Sequence, residues 1–279
     1  MTFSIVARSA DGESWGVAVA SKFLAVGNAV PAAVAGVGAI ATQAAANVAY
    51  KGLALSHLDD GATASVALQR LLEEDDGRDH RQVGIVDSDG GAASHTGTAC
   101  LEWAGSVIGD GYAIQGNILA GSEVVEAMEQ AWHDVSDPGV TLARRLLAAL
   151  TAGDEAGGDK RGKQSAALLV VKEGAGFMGM DDIAVDLRVD DHAEPCAELA
   201  RLLDLNEFYL TASTDDEKVQ LTDELEAETT LLVKALGFPD LVTWAGTRNY
   251  EMRVAEDGGW VDRKVLELLR EEAAEVAES

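Results

Sequence analysis

The chain has 279 residues, 47% of them hydrophobic, and a formal net charge of −27. That length and apolar content suffice for one large core and a small second unit. Negative charge spread over both halves disfavours nucleic acid, whose phosphates it repels, and anionic membrane surfaces; no apolar run reads as a membrane span of ~20 residues.

Residues 2–8 alternate, with Phe3, Ile5 and Ala7 set against Thr2, Ser4 and Val6, and Asp11-Gly12 is a turn signal. Trp15–Ser21 alternates again, with Trp15, Val17 and Val19 on one face, which predicts a hairpin. Two short extended segments follow, Ala29–Val34 and Val37–Gln43. A helix is predicted over Val48–Leu58, ending at Gly61. A second is predicted over Ala64–Glu74, capped by Thr63, with Val66, Leu68, Leu71 and Leu72 on its inner face. Arg81–Asp87, Ala92–Thr96 and Val107–Gln115 read as strands. Ser122 opens a helix that turns Val124, Val125, Met128 and Trp132 inward, and Leu142–Leu150 is the next helix. Ser165–Lys172 and Ile183–Val189 are strands. Strand groups alternating with helix pairs, without strict βαβ order, argue for an α+β fold, a sheet sandwich covered by helices.

His192-Ala193-Glu194-Pro195 marks a boundary after a first domain over 1–192. Beyond it, Cys196–Leu205, Glu217–Leu236, Val242–Val254 and Val261–Glu275 read as a small helical bundle over 196–275, with a frayed end at 276–279.

Arg8, Asp11 and Glu13 interrupt the apolar run a signal peptide needs, so a cytoplasmic location is expected. Cys100 and Cys196 have neither metal nor disulfide spacing and read as reduced thiols. Many acids and few lysines suggest adaptation to high salt, which screens self-repulsion.

The chemistry begins at Thr2, directly behind Met1. Removal of Met1 would put a free α-amine, titrating near ~7.7–8.0, and a hydroxyl on one residue. That residue then supplies both base and nucleophile. The plain alternative is a chain that merely begins Met-Thr. Acyl transfer also needs donors for an oxyanion, and backbone amides or the side chains of Gln115 and Asn117 are candidates; the alternative for Gln115-Gly116-Asn117 is a strand-end turn. Lys22, one of eight lysines, can bias the α-amine to its neutral form or bind a substrate carboxylate; otherwise it is a solvated surface lysine. The loop Gly157–Ser165 gathers three bases in an acidic chain. Within it Arg161 can clamp a carboxylate and Asp159 can engage a substrate amine, against a loop that only balances local acid. P-loop spacing is missing. The five histidines (His57, His80, His95, His133 and His192) form no i,i+4 pair, so a His-based metal site is not expected; the chemistry expected at Thr2 requires no cofactor. Asp75-Asp76, Asp181-Asp182 and Asp190-Asp191 read as solvated charge.

Several segments together resemble one family. They are Met1–Arg8, Gly16–Phe23, Gly38–Gln43, His80–Asp87, Gln115–Asn117 and Gly157–Ala166. The family is domain of unknown function 1028, and the resemblance covers about residues 1–192. The leading Thr, the hairpin and the alternating helix pairs also resemble the N-terminal-nucleophile (Ntn) hydrolases. The resemblance implies a four-layer αββα sandwich. Proteasome-like relatives carry a lysine on the third strand; Val37–Gln43 has none, so their proton network is absent or rebuilt here. Trp244–Asn249 and Asp257–Asp262 resemble a small helical domain described as peptidoglycan-binding. Without an export signal, wall binding is not expected, and a packing or oligomerisation module is the alternative.

The expected activity is hydrolysis of a linear amide bond in a small, charged molecule. Thr2, Lys22 and Asn117 are the expected catalytic residues. Ser21, Gln43, Gln115, Asp159, Arg161 and Gln164 are expected to bind substrate. The alternative is a non-catalytic binding or assembly protein that reuses the fold. A homodimer is compatible with either reading.

Overall fold

The first strand, β1 (Thr2–Arg8), is buried on both faces: Phe3, Ile5, Val6 and Ala7 are all at or below 1% exposure. A strand buried on both sides must lie between two packed layers. The computed structural model describes residues 2–278. The expected removal of Met1 and the last residue of the expected frayed end, Ser279, therefore fall outside the described residues. Contacts divide the chain into two units, one ending at Leu203 and one beginning at Asp204.

The first unit contains β1, β2 (Ser14–Ser21), α1 (Val26–Ala29), β3 (Pro31–Val34), β4 (Gly38–Ala44), α2 (Ala49–Asp59) and α3 (Ala64–Glu73). It continues with β5 (Arg81–Asp87), β6 (Ala92–Thr96), β7 (Ala104–Gly109), β8 (Tyr112–Asn117), α4 (Glu123–Asp134), α5 (Leu142–Glu155), β9 (Ser165–Lys172) and β10 (Ile183–Val189). Helix α6 (Pro195–Leu210) begins in this unit and ends in the next. One sheet has six strands in the order β10-β9-β2-β1-β8-β7; the other has four, β3-β4-β5-β6. Every pairing within them is antiparallel.

Three apolar clusters define the layers. Phe3, Ile5 and Ala7 of β1 pack with Met128 and Trp132 of α4 and Leu146 and Leu150 of α5. Val6, Val17, Val19, Ala39, Ala41, Val86 and Ala113 fill the space between the sheets. Ile40, Val83 and Ile85 pack with Tyr50, Leu68 and Leu71 of α2 and α3. The order is helix pair, six-stranded sheet, four-stranded sheet, helix pair.

Two local expectations are corrected. Val107–Gln115 is not one strand: β7 ends at Gly109 and β8 starts at Tyr112. Asp110-Gly111 makes the reversal, and Gly111 takes a φ of 76° that a side chain would resist. Val66 does not face the core; it is 40% exposed, and Ala64 and Ala67 take the inner positions. Thr63 does cap α3, its hydroxyl accepting from the Val66 amide at 3.4 Å.

The second unit has α7 (Asp223–Ala235), α8 (Leu241–Thr247) and α9 (Arg263–Glu278), packed around Val233, Trp244, Val261, Val265 and Leu269. It also has strands, β11 (Lys218–Gln220) and β12 (Trp260–Asp262), paired as an antiparallel ribbon within segments read as helix. Helix α9 continues through Glu278 where fraying was expected. No helix among the described residues is long and apolar enough to cross a membrane.

Candidate functional site

Thr2 opens β1 and is paired on the β8 side with Asn117. It is 6% exposed, and its Oγ1 lies 3.1 Å from the Ser21 Oγ at the end of β2. Ser4 faces Gln115 across the same β1–β8 ladder. Opposed residues on neighbouring antiparallel strands project to one face. Thr2, Ser4, Gln115 and Asn117 thus share a face, opposite to the one on which Phe3 and Ile5 meet the helices.

The facing sheet contributes Gln43 from β4 and Gln82 from β5, themselves register partners. The result is a layer of side-chain amides between the sheets. Gln43 Nε2 donates to Gln82 Oε1 at 2.9 Å and to the main-chain carbonyls of Thr2 and Gln115, each at 3.3 Å. Ser4 Oγ donates to Gln43 Oε1 at 2.7 Å and accepts from Gln115 Nε2 at 2.7 Å. Gln82 is the hub. Its Oε1 accepts from Gln43 and from Asn117 Nδ2, both at 2.9 Å. Its Nε2 donates to the Gly116 carbonyl at 2.7 Å, Thr96 Oγ1 at 2.9 Å and the Gly105 carbonyl at 3.2 Å. Gln43, Gln82, Gln115 and Asn117 are each at most 1% exposed. Polar side chains so buried persist only when hydrogen-bonded, and each satisfied member fixes the rotamer of the next. One atom stands out: Gln115 Oε1 is buried without a hydrogen-bond partner. It lies over Gly84, where a Cβ would come within 2.1 Å of it, so glycine there makes room for the amide.

The loop after α5 is fastened to the same end of the sheet. Leu119 bridges to Asp159, and the Lys160 amide donates to the Ile118 carbonyl at 3.3 Å. Asp159 is buried. Its Oδ2 accepts from the Lys22 main-chain amide at 2.7 Å, one residue past Ser21, and its Oδ1 accepts from the Arg161 amide at 2.9 Å. The Arg161 guanidinium folds back onto the same carboxylate at 3.2 Å while staying 46% exposed.

The candidates therefore separate. Thr2, Ser21, Gln43, Gln115 and Asn117 converge in or beside the amide layer. Asp159 and Arg161 form an adjoining pair tied to the end of β2. The Lys22 ammonium is exposed and donates to the Lys163 carbonyl at 3.1 Å, so Lys22 reaches Asp159 through its backbone. Gln164 Nε2 donates to Asp191 at 3.0 Å and joins none of the amide bonds.

Sequence reading passed over Ser4, Gln82 and Thr96, which complete the network. It also took Asp75 for solvated charge, which the structure corrects. Asp75 accepts from Arg81 Nε at 2.9 Å and Tyr50 OH at 2.7 Å. Those bonds hold its carboxyl well below the usual range, while burial and Asp75 push the Tyr50 phenol up. Arg81 also donates to the Ala45 carbonyl at 2.5 Å, clamping the turn that follows Gln43.

Among the described residues no cluster of His, Cys, Asp and Glu could hold a metal ion.

The model of a family of unknown function, DUF1028, matches residues 2–199. The crystal structure of protein SPO2555 from Silicibacter pomeroyi, of the same family, superposes with a TM-score of 0.66 at 32% identity, covering 77% of this chain and 90% of that one. Anbu (ancestral beta-subunit) from Yersinia bercovieri gives a TM-score of 0.35 at 10% identity, covering 73% of this chain and 93% of that one, a likeness too slight to argue from. No curated protein matches.

Proposed function

The chain belongs to the DUF1028 family of unknown function, and from the geometry at Thr2 we propose that it is an Ntn-type amidohydrolase. The observation that carries this reading is the buried Thr2 hydroxyl, 3.1 Å from that of Ser21, at the head of a central strand and beside fixed amide donors. On this reading the four layers are the αββα sandwich of that class.

With Met1 removed, the α-amine of Thr2 takes the hydroxyl proton, directly or through Ser21, and Oγ1 attacks the substrate amide carbon. Asn117 spends one Nδ2 hydrogen on Gln82, and its second is the proposed donor to the oxyanion. The α-ammonium then protonates the leaving amine as the C–N bond breaks. Water hydrolyses the resulting ester, releasing the carboxylate and restoring Thr2. Arg161, preset by Asp159 but half exposed, would meet a substrate carboxylate.

Intact mass and turnover test the reading together. The expected mass lacks one methionine; the processed protein hydrolyses members of a panel of small charged amides, and Thr2→Ala with Met1 also removed loses at least ~10³-fold. Retained Met1, or full turnover by Thr2→Ala, overturns it. The second reading, a binding or assembly protein, is favoured by the way Gln43 and Gln82 direct their amide hydrogens to other atoms of the protein interior; a retained Met1 would select it.

A further inference from the structure

The six-stranded sheet ends on one side in β10. Among the described residues β10 pairs only with β9, and no main-chain hydrogen bond from any other segment reaches Ile183–Val189. An open edge of this length is a template for another strand, and proteins that leave one open either block it or use it.

The chemistry along this edge is self-complementary. Val185-Asp186-Leu187-Arg188-Val189 reads the same in both directions once opposite charges are counted as partners. Val185 and Val189 are buried on the helix-facing side with Leu187 partly buried beside them; Asp186 and Arg188 project to the other side. The two charges already pair within the strand, Arg188 Nε to Asp186 Oδ1 at 2.9 Å and Nη2 to Oδ2 at 2.9 Å. Their side chains remain 32% and 43% exposed, Asp186 first. Both are thus held in place and still open to a cross-strand partner.

We propose that β10 is the edge through which two copies of this chain join, antiparallel about a two-fold axis at Leu187, continuing the six-stranded sheet across the pair. A two-fold contact presents the same patch from both sides, so a residue and its partner must sum to a constant. With the axis at Leu187, Asp186 of each copy faces Arg188 of the other, Val185 faces Val189, and Leu187 faces itself. Placing the axis one residue away at Asp186 would set the two Asp186 carboxylates against each other, which is unfavourable for directly opposed strand residues. The charge pattern therefore selects one register. The hairpin tip that leads into β10 adds apolar surface to the same edge: Phe177, Met178 and Met180 are 66%, 79% and 85% exposed.

Sedimentation velocity of the full chain at ~150 mM salt, where charges beyond ~8 Å are screened but opposed pairs are not, tests this. The wild type is expected to associate to a dimer. Asp186→Arg and Arg188→Asp each oppose like charges at two symmetric places and should each weaken the dimer by about tenfold or more. The double swap Asp186→Arg/Arg188→Asp restores opposite pairs and should restore association. A monomeric wild type, single variants that associate as well as wild type, or a double swap as weak as the singles each overturns the proposal. Leu187→Cys keeps both charges and gives an independent readout: mild oxidation should link two chains covalently where wild type stays unlinked, and no linkage counts against the register.

Discussion

Gln82 shows how much one side chain can organise. It receives two amide donors and offers its own hydrogens to three oxygens on β6, β7 and β8, so both sheets are referenced to it. Gln82→Leu has similar volume but none of these bonds. It strands an amide hydrogen of Asn117 and takes a donor from the Gly116 carbonyl in a dry layer. Each unpaired buried group costs about 1–3 kcal/mol, partly relieved by repacking, so a loss of about 2–4 kcal/mol is expected in urea unfolding. A loss below about 1 kcal/mol would show that the network is not what holds the layer. The residue was invisible in the sequence for a physical reason. In Arg81–Asp87, a polar side chain alternating with apolar ones looks the same whether its face meets water or a second sheet. Thr2 stands out in the sequence by its position behind Met1; Gln115 and Asn117 read there as oxyanion donors or as a strand-end turn, and the structure adds their register with Ser4 and Thr2.

Elements were read best where period and length agree. The expected bounds of β5, β6, β9 and β10 coincide with those observed, because five to eight alternating or apolar residues carry a clear period of two. The β7–β8 hairpin reads in the sequence as one strand although Asp110-Gly111 is a recognised reversal signal, because apolar residues on both sides mask it. Strands β11 and β12 have three residues each, too few for any period. One end of that ribbon, Asp262, is engaged in a buried ion pair. Arg253 Nη1 lies 2.8 Å from Asp262 Oδ2, which also accepts from Ser213 Oγ at 2.6 Å, and Arg253 further donates to the Phe208 and Glu207 carbonyls. Burial pushes the Asp262 carboxyl up, but Ser213 and Arg253 outweigh it and leave it below its ordinary value. Asp262→Ala leaves the guanidinium buried without its nearest counter-charge. The expected cost is about 3–5 kcal/mol in urea unfolding of the full chain; a change under about 1 kcal/mol would mean Glu217, 3.2 Å away, suffices as partner.

For the whole molecule, acidic side chains outnumber basic ones, 48 to 21. Repulsion among so many exposed carboxylates opposes the compact state and is screened by salt. The unfolding midpoint should therefore rise from ~0.1 M to molar salt; an unchanged midpoint would separate the composition from any salt requirement. The family match stops at residue 199, just short of the division at Leu203, so the second unit is the part on which the family comparison is silent. The amide layer has one more consequence at this scale. Backbone hydrogens in the strands are protected by their own ladders and exchange with solvent when a strand frays. The side-chain hydrogens of Gln43, Gln82 and Gln115 are held between the sheets. Their replacement by deuterium requires the two sheets to part, so these three amides are an internal clock for that motion.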